Sequence, residues 1–133
     1  MPSAATHLMF QGEAGSAIEF YSDVFCGFRI LKLEKYGQSD SGLAGLIKYA
    51  KAELHGHSLI IIDSAAAHDF DFTPSISLFV EFSTEHELRE AFGALAEKGE
   101  ILMPLDDYGF SEKFGWVKDC FGVSWQLNFG DLE

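Results

Sequence analysis

The residues best suited to chemistry lie on one alternating run near the C-terminus, Val123-Ser124-Trp125-Gln126-Leu127-Asn128-Phe129. Side chains of a strand point alternately to its two faces, so Val123, Trp125, Leu127 and Phe129 predict an apolar face. Ser124, Gln126 and Asn128 then form a row of hydrogen-bonding groups on the other. Turned to solvent, such a row is an ordinary wet sheet face, and that is the default. Turned inward, it lines a polar pocket. A second strand, Ser75 to Phe82, sets Ile76, Leu78 and Val80 against Ser77, Phe79 and Glu81. Glu81 shares the presumed inward side with Ser75 and Ser77. In a cavity it would be a general base, the one catalytic candidate in the chain. The plainer reading is an exposed carboxylate.

Other chemistry-bearing residues point less far. His55-Gly56-His57 flanks a turn glycine, and imidazoles so placed usually face solvent. Asp69 and Asp71, with Asp106 and Asp107, lack the twelve-residue loop spacing that calcium requires. Cys26 and Cys120 are too few for a disulfide framework and stand in no zinc spacing, so both read as inert filler suited to a reducing cytoplasm. Phe79, Trp116 and Trp125 read as core or contact residues, or as rings that stack on a ligand.

The elements that must hold these residues fall in a repeating order. Thr6 to Gln11 alternates as a first strand. Ala17, Ile18, Tyr21, Val24 and Phe25 recur at helical spacing, with Ser16 or Glu13 as cap and Gly27 as stop. Strands follow at Phe28–Leu33, Leu46–Leu54 and Ser58–Asp63; in the last, Leu59-Ile60-Ile61-Ile62 predicts burial on both faces. After the strand at Ser75–Phe82, Thr84-Glu85-His86-Glu87 has the capping-box pattern. Leu88, Ala91, Phe92, Leu95 and Ala96 make a helical stripe ending at Gly99. Ile101–Leu105 and a hairpin turning at Asp119-Cys120-Phe121-Gly122 complete the chain. The order strand, helix, strand, strand, strand thus occurs twice. The offset of about 70 residues exceeds the roughly 20–50 of solenoid repeats, so this is a duplicated module. The expected architecture is α+β: two βαβββ modules, residues 1–64 and 73–133, joined by 65–72, each a mostly antiparallel sheet with its helix on one face. Curled together around a cavity, they would turn Ser124, Gln126 and Asn128 inward.

Composition excludes several functions. The 133 residues suffice for a single domain, and the 47% hydrophobic content with 13 Phe for a packed core. A net charge of −12 with 9 scattered Lys and Arg argues against nucleic acid and against an anionic membrane surface. No apolar run reaches the roughly 20 residues of a spanning helix. Met1-Pro2-Ser3-Ala4-Ala5 lacks the basic and apolar regions of a secretory signal. The chain is expected in the cytoplasm.

The doubled βαβββ order, Ala17-Ile18-Glu19-Phe20-Tyr21 and Asp119-Cys120-Phe121-Gly122-Val123-Ser124-Trp125-Gln126-Leu127 resemble the vicinal oxygen chelate superfamily of glyoxalases, bleomycin-resistance proteins and dioxygenases. More narrowly, Phe72-Thr73-Pro74-Ser75-Ile76-Ser77-Leu78-Phe79-Val80, Leu102-Met103-Pro104-Leu105-Asp106 and Ser111-Glu112-Lys113-Phe114-Gly115-Trp116-Val117-Lys118-Asp119 resemble its PhnB-like branch. The resemblance implies the glyoxalase/bleomycin resistance fold, a cupped mixed sheet, and a homodimer. In metal-using members four inward side chains bind a divalent ion. The corresponding positions here are Thr6, Ile61, Ser75 and Gln126, of which only Gln126 is a plausible ligand. A one-residue shift would bring in His7, at the expense of the strand's facing.

The expectation is therefore a small organic ligand held in the cavity between modules. Thr6, Ser75, Ser77, Glu81, Ser124 and Gln126 would hydrogen-bond it, with Phe79 and Trp116 for packing, and neither a family-type metal site nor another cofactor is expected. The alternative is a metal-dependent lyase, isomerase or dioxygenase using a divalent ion completed by His7, Glu81 and Gln126. A third possibility is an interaction module. Some relatives carry a methyltransferase label, but no glycine-rich strand-to-helix turn suited to S-adenosylmethionine is found.

Overall fold

Leu8 and Phe10 are buried while His7 between them is exposed, and this alternation sets the facing of the first strand. The computed structural model describes residues 1–40 and 42–132 and divides into two compact units, Met1–Asp69 and Phe70–Glu133.

The first unit contains β1 (Thr6–Phe10), α1 (Ala14–Val24), β2 (Phe28–Lys35), β3 (Ile47–Leu54) and β4 (His57–Asp63). Its sheet runs β1-β4-β3-β2, with β1 and β4 parallel and the other pairs antiparallel. In register, Leu8 lies beside Ile61, and Ile61 beside Ala50. These three, with Phe10, Ala52, Leu54 and Leu59, are buried on one face. Tyr21 of α1 packs edge-on to Phe28 with ring centroids 6.2 Å apart, and Phe28 is in register with Leu54. The helix therefore covers the Leu8–Ile61 side. Full burial of one Leu or Ile is worth about 1.5–3 kcal/mol, and a one-residue slip would expose the whole set at once. That pins the register. Ile60 and Ile62 are only half-buried, so β4 is not fully buried on both faces as its apolar run predicted.

The start of α1 corrects the sequence reading. The helix begins at Ala14, and Glu13 at its N-cap makes no side-chain hydrogen bond. Asp63, wholly buried at the end of β4, does that work. Its Oδ1 accepts the N–H groups of Gly12 and Ala14 at 2.8 and 2.9 Å, and its Oδ2 that of Ile47 at 2.9 Å. One carboxylate thus satisfies donors on the turn, the helix and β3. The helix stops at Val24, before Gly27.

The second unit repeats the order: β5 (Leu78–Phe82), α2 (Glu85–Ala96), β6 (Glu100–Asp106), β7 (Lys113–Lys118) and β8 (Ser124–Phe129). The sheet runs β5-β8-β7-β6, with β5 and β8 parallel. Both units thus share the βαβββ topology, and the architecture is α+β. The α2 N-terminus follows the capping pattern. Thr84 Oγ1 accepts from the Glu87 N–H at 3.2 Å and donates to Glu87 Oε1 at 3.0 Å, whereas the expected return bond was to the backbone. At the other end the structure differs. The helix ends at Ala96 rather than at Gly99, and Lys98 takes the left-handed conformation (φ 61°). Gly99 is required for another reason, since a Cβ there would run into the Lys118 carbonyl. Leu88, Ala91, Phe92 and Leu95 of α2 are buried, as are Leu78, Val80, Val117, Trp125 and Leu127 of the sheet. Gly115 lets the helix sit close: a Cβ on it would meet the Phe92 ring. Cys26 and Cys120 are exposed rather than filling the core.

Candidate functional site

With Trp125 and Leu127 turned toward α2, the period of β8 turns Ser124, Gln126 and Asn128 to the helix-distal face. The ladder fixes their neighbours. Phe79 of β5 and Trp116 of β7 both stand in register with Gln126, and Met103 of β6 stands in register with Trp116. One line across four strands therefore reads Phe79, Gln126, Trp116, Met103. The next line places Glu81 beside Asn128 and Asn128 beside Phe114.

Hydrogen bonds knit the polar members together. The Trp116 indole N–H donates to Ser124 Oγ at 2.8 Å. The Ser124 and Ser77 hydroxyls share a bond of 2.7 Å, and Gln126 Nε2 donates to Ser77 Oγ at 3.3 Å. Two hydroxyl protons are present and the Ser77–Ser124 bond uses one. Ser124 is buried and Ser77 half-buried, so the arrangement that strands no buried proton has Ser124 donating to Ser77. The Ser77 proton is then available to a ligand, and so is the carbonyl oxygen of Gln126. Farther along β8, Asn128 is fully engaged inside the protein: Oδ1 accepts from Ser111 Oγ at 2.6 Å and Nδ2 donates to the Gly130 carbonyl at 2.8 Å.

Aromatic rings border this polar line. Phe79, 45% exposed, stacks against Phe114 at 6.4 Å between centroids. Phe114 also meets Phe110 at 5.1 Å and Tyr108 at 6.1 Å, both edge-on. A face with one donor, one acceptor and an exposed ring has the make-up of a small-molecule contact surface.

The remaining predicted site residues fall elsewhere. Ser75 lies in the turn before β5, exposed and within 3.3 Å of Thr73 Oγ1. Glu81 is exposed, on the helix-distal face at the far side of Phe79 from the serines. Thr6, in the first unit, is in register with buried Leu59 on the helix side, where its hydroxyl bonds His57 Nε2 at 2.8 Å. Ile61 is on that side too. The helix-distal positions of β1 and β4 are those of His7 and Ile60, which stand in register. The shift by one that would bring in His7 is thus the facing that the strand adopts.

A divalent ion of the kind the fold family uses needs several N or O donors at one point. Among the described residues no three His, Cys, Asp or Glu side chains converge. In the second unit Asp107, Glu112 and Asp131, with Gly109 and Ser111, line an open acidic hollow of about 390 Å³, without such convergence. The residues present do not fit the family's metal.

Three features escaped the sequence reading. Asp63 organises the α1 N-terminus. Asp119, 2% exposed, binds the N–H groups of Phe121 and Val123 through Oδ1 and the Trp125 indole through Oδ2. Trp116 acts through its indole N–H as well as its ring. The signal for both aspartates was an acidic residue closing an apolar strand, where a solvated carboxylate is the usual inference.

The family model described as 3-demethylubiquinone-9 3-methyltransferase matches residues 2–128. Among solved structures, the PhnB protein from Bacillus cereus is 42% identical, with 97% of this chain and 100% of that chain covered and a TM-score of 0.91. A protein from Pseudomonas aeruginosa is 24% identical over 98% of this chain and 99% of that one, with a TM-score of 0.85. A glyoxylase/bleomycin resistance protein/dioxygenase domain from Frankia sp. EAN1pec is 12% identical over 98% of this chain and 92% of that one, with a TM-score of 0.69. The last two are likenesses of fold. Curated proteins give no match.

Proposed function

The chain belongs to the PhnB-like family of the vicinal oxygen chelate superfamily, and from that premise we propose that it binds a small organic molecule without a family-type metal. The contact surface is the helix-distal face of the second sheet. The carrying observation is the Ser77–Ser124–Gln126 network beside the exposed Phe79 ring. Ser77 offers a proton and Gln126 a carbonyl oxygen side by side. That pair suits a ligand presenting an acceptor next to a donor, such as a carboxamide, a lactam or a protonated carboxyl group, on a flat apolar body that stacks on Phe79. No catalytic step is assigned; Glu81 stands apart from the pair.

The family description names a methyl transfer, and two observations weigh against carrying it to this chain. Helix N-termini are the usual cradles of phosphorylated or nucleotide-like cofactors. Here the N-terminus of α1 holds Asp63 and that of α2 holds Thr84 with Glu87. The strand–helix–strand crossover of each unit joins parallel strands with two others between them, and neither connecting turn, Gln11-Gly12-Glu13 or Ser83-Thr84, has the glycine-rich spacing that holds such cofactors.

No helix is long and apolar enough to cross a membrane among the described residues. The net charge of −12 supports a partner other than nucleic acid, and two exposed cysteines are in keeping with a reducing cytoplasm.

The test is thermal unfolding of the full chain against a panel of aromatic amides, lactams and carboxylic acids. A ligand present at about 100 times its Kd adds about 2.7 kcal/mol of stability. A panel member that raises Tm in the native protein and fails to do so in Gln126→Ala supports the reading. A panel without any shift at millimolar concentration overturns it.

A further inference from the structure

Lysine and arginine are scarce in this chain, 9 against 21 aspartates and glutamates, and they are unevenly placed. Five of them, Arg29, Lys32, Lys35, Lys48 and Lys51, lie on β2 and β3, where the only carboxylates are Glu34 and Glu53. A bulge in β2 between Ile30 and Lys32 decides the facing. Because of it, Arg29, Lys32 and Glu34 all stand in register with the helix-distal residues Glu53, Lys51 and Tyr49 of β3. Lys32 is thereby set directly opposite Lys51, and like charges so placed destabilise a sheet. A face that merely met solvent would gain by alternating its charges.

The neighbouring carboxylates do not neutralise this pair. Glu53 accepts from the Arg29 guanidinium at 2.7 Å. Glu34 meets Lys32 only at 3.6 Å with both side chains exposed, and such pairs contribute little. The Lys32 ammonium stands 5.9 Å from the centroid of the Tyr49 ring, a neutral contact that leaves its charge in place. Lys51 is exposed and makes no hydrogen bond or ion pair among the described residues. Beside the lysines the same face turns apolar. Lys51 is in register with Ile60, and Ile62 with Met9 two residues along; all three of these apolar side chains are half-buried.

We propose that the Lys32–Lys51 pair is an anion site of the first unit, taking the carboxylate of a small organic acid whose apolar chain lies on Ile60, Ile62 and Met9. Each ammonium donates to one carboxylate oxygen, and the bound charge removes the cross-strand repulsion. The site differs in chemistry from the Ser77–Gln126 pair, which offers a neutral donor and a neutral acceptor.

Titration of the full, isotope-labelled chain with hexanoate, acetate and hexanamide, followed by amide chemical shifts at fixed pH and ionic strength, tests this. Hexanoate is expected to move the amides of Lys32, Lys51 and Ile60 saturably. It should bind at least about fivefold tighter than acetate, through the methylenes that reach the apolar floor. Hexanamide, the same chain without the charge, should give no saturable shift. Lys51→Gln should weaken hexanoate by at least about tenfold, the worth of one charge-assisted hydrogen bond, with Tm equal to or above that of the wild type because a like-charge pair is gone. Lys113→Gln, which removes one positive charge from the second unit, should keep the wild-type affinity. Hexanoate without a saturable shift at these amides overturns the proposal. So does binding that survives both Lys32→Gln and Lys51→Gln, that hexanamide matches, or that acetate equals. A Tm several degrees lower in Lys51→Gln would make the lysine structural, and a loss in Lys113→Gln equal to that in Lys51→Gln would make the effect one of general charge; each overturns it equally.

Discussion

The hydroxyls of Ser77 and Ser124 lie 2.7 Å apart although 47 residues separate them in sequence. Ser77 precedes β5 and Ser124 opens β8, so this bond ties the entry of one strand to the start of its parallel neighbour. It also sets the proton that Ser77 keeps. Ser124→Ala would leave the Trp116 indole N–H without its acceptor, and the expected loss is about 1–3 kcal/mol. Ser77→Ala removes a half-buried partner and should cost about 0.5–1.5 kcal/mol. The double variant should cost clearly less than the two together, because both single changes break the same bond. Denaturant midpoints measure all three, and strict additivity would show that the hydroxyls act independently.

Gln126 and Phe79 are better probes of binding than of stability. Phe79 is exposed and Gln126 half-buried, and the hydrogen bond from the Gln126 amide to Ser77 is long, at 3.3 Å. Gln126→Ala and Phe79→Ala should therefore leave the unfolding free energy within about 1 kcal/mol of wild type. Both should abolish the Tm shift produced by whichever amide, lactam or acid stabilises the native protein. Glu81→Gln, farther along the face, should keep that shift. A shift that survives Gln126→Ala and vanishes in Glu81→Gln would move the site to the other end of β5.

How much of this the sequence disclosed depended on the pattern of each strand. β8 alternates cleanly, so its polar row could be read at sight, as could the Thr84 cap and the stripe of α2. β4 is apolar at four successive positions, Leu59 to Ile62. Such a run carries no phase, and the facing of Ile61 and of its parallel neighbour Thr6 could not be deduced from it. The parallel pairing decides it: Leu8 and Phe10 must be buried together with Ile61, which sends Thr6 to the helix side and His7 to the other. Ser75 looked like part of β5 because alternation extends back to it, but the turn at Pro74 keeps it out of the ladder. The bulge in β2 was visible only as Leu31 blurring an alternation, and its consequence for facing needs the partner strand. Asp63 and Asp119 were invisible for a different reason. Apart from the Trp125 indole on Asp119, their donors are backbone N–H groups, which every residue has, so the position of an acidic residue at a strand end is the one trace they leave.

Asp63 gives the sharpest stability prediction. Its carboxylate accepts from Gly12, Ala14 and Ile47 and is wholly buried. Asp63→Ala orphans three backbone donors in one step, and each unsatisfied buried donor costs about 1–3 kcal/mol. A loss of at least about 3 kcal/mol is expected, enough to lower Tm by more than ten degrees in a protein of this size. Asp63→Asn keeps one carbonyl oxygen but turns an NH₂ group toward a former donor, so it should fall between the two. Thermal unfolding followed by circular dichroism reads the order. An Asp63→Ala protein within about 1 kcal/mol of wild type would mean that water replaces the carboxylate without loss.

Gly115 makes the corresponding prediction for the second unit. β7 passes under α2 so closely that a methyl group at this position would meet the Phe92 ring on one side and Leu105 on the other. Both neighbours are side chains, and Phe92 is itself 5% exposed, so neither can swing away freely. Gly115→Ala should destabilise by about 1–3 kcal/mol through overpacking. Shortening the obstacle should recover part of that loss: Gly115→Ala combined with Phe92→Leu is expected to be more stable than the sum of its single changes by at least about 0.5 kcal/mol. Trp116 and Gln126 lie on the opposite face, so the binding-induced Tm shift should persist in Gly115→Ala.

Metal removal separates the ligand-binding reading from its metal-dependent rival. A structural or catalytic ion at about 1,000 times its Kd would add about 4.1 kcal/mol to the native state, and stripping it would lower Tm by more than about ten degrees. Of the four positions that correspond to the family's ligands, Thr6, Ile61, Ser75 and Gln126, Ile61 is a hydrocarbon and contributes nothing to a cation. Protein purified without chelator should therefore contain well under one equivalent of Mn, Fe, Ni or Zn by elemental analysis, and EDTA should leave Tm unchanged. His7→Ala should be equally silent toward added Ni or Zn. One equivalent of bound metal, lost together with several degrees of Tm in His7→Ala or Gln126→Ala, would establish the metal-dependent alternative in place of the one proposed.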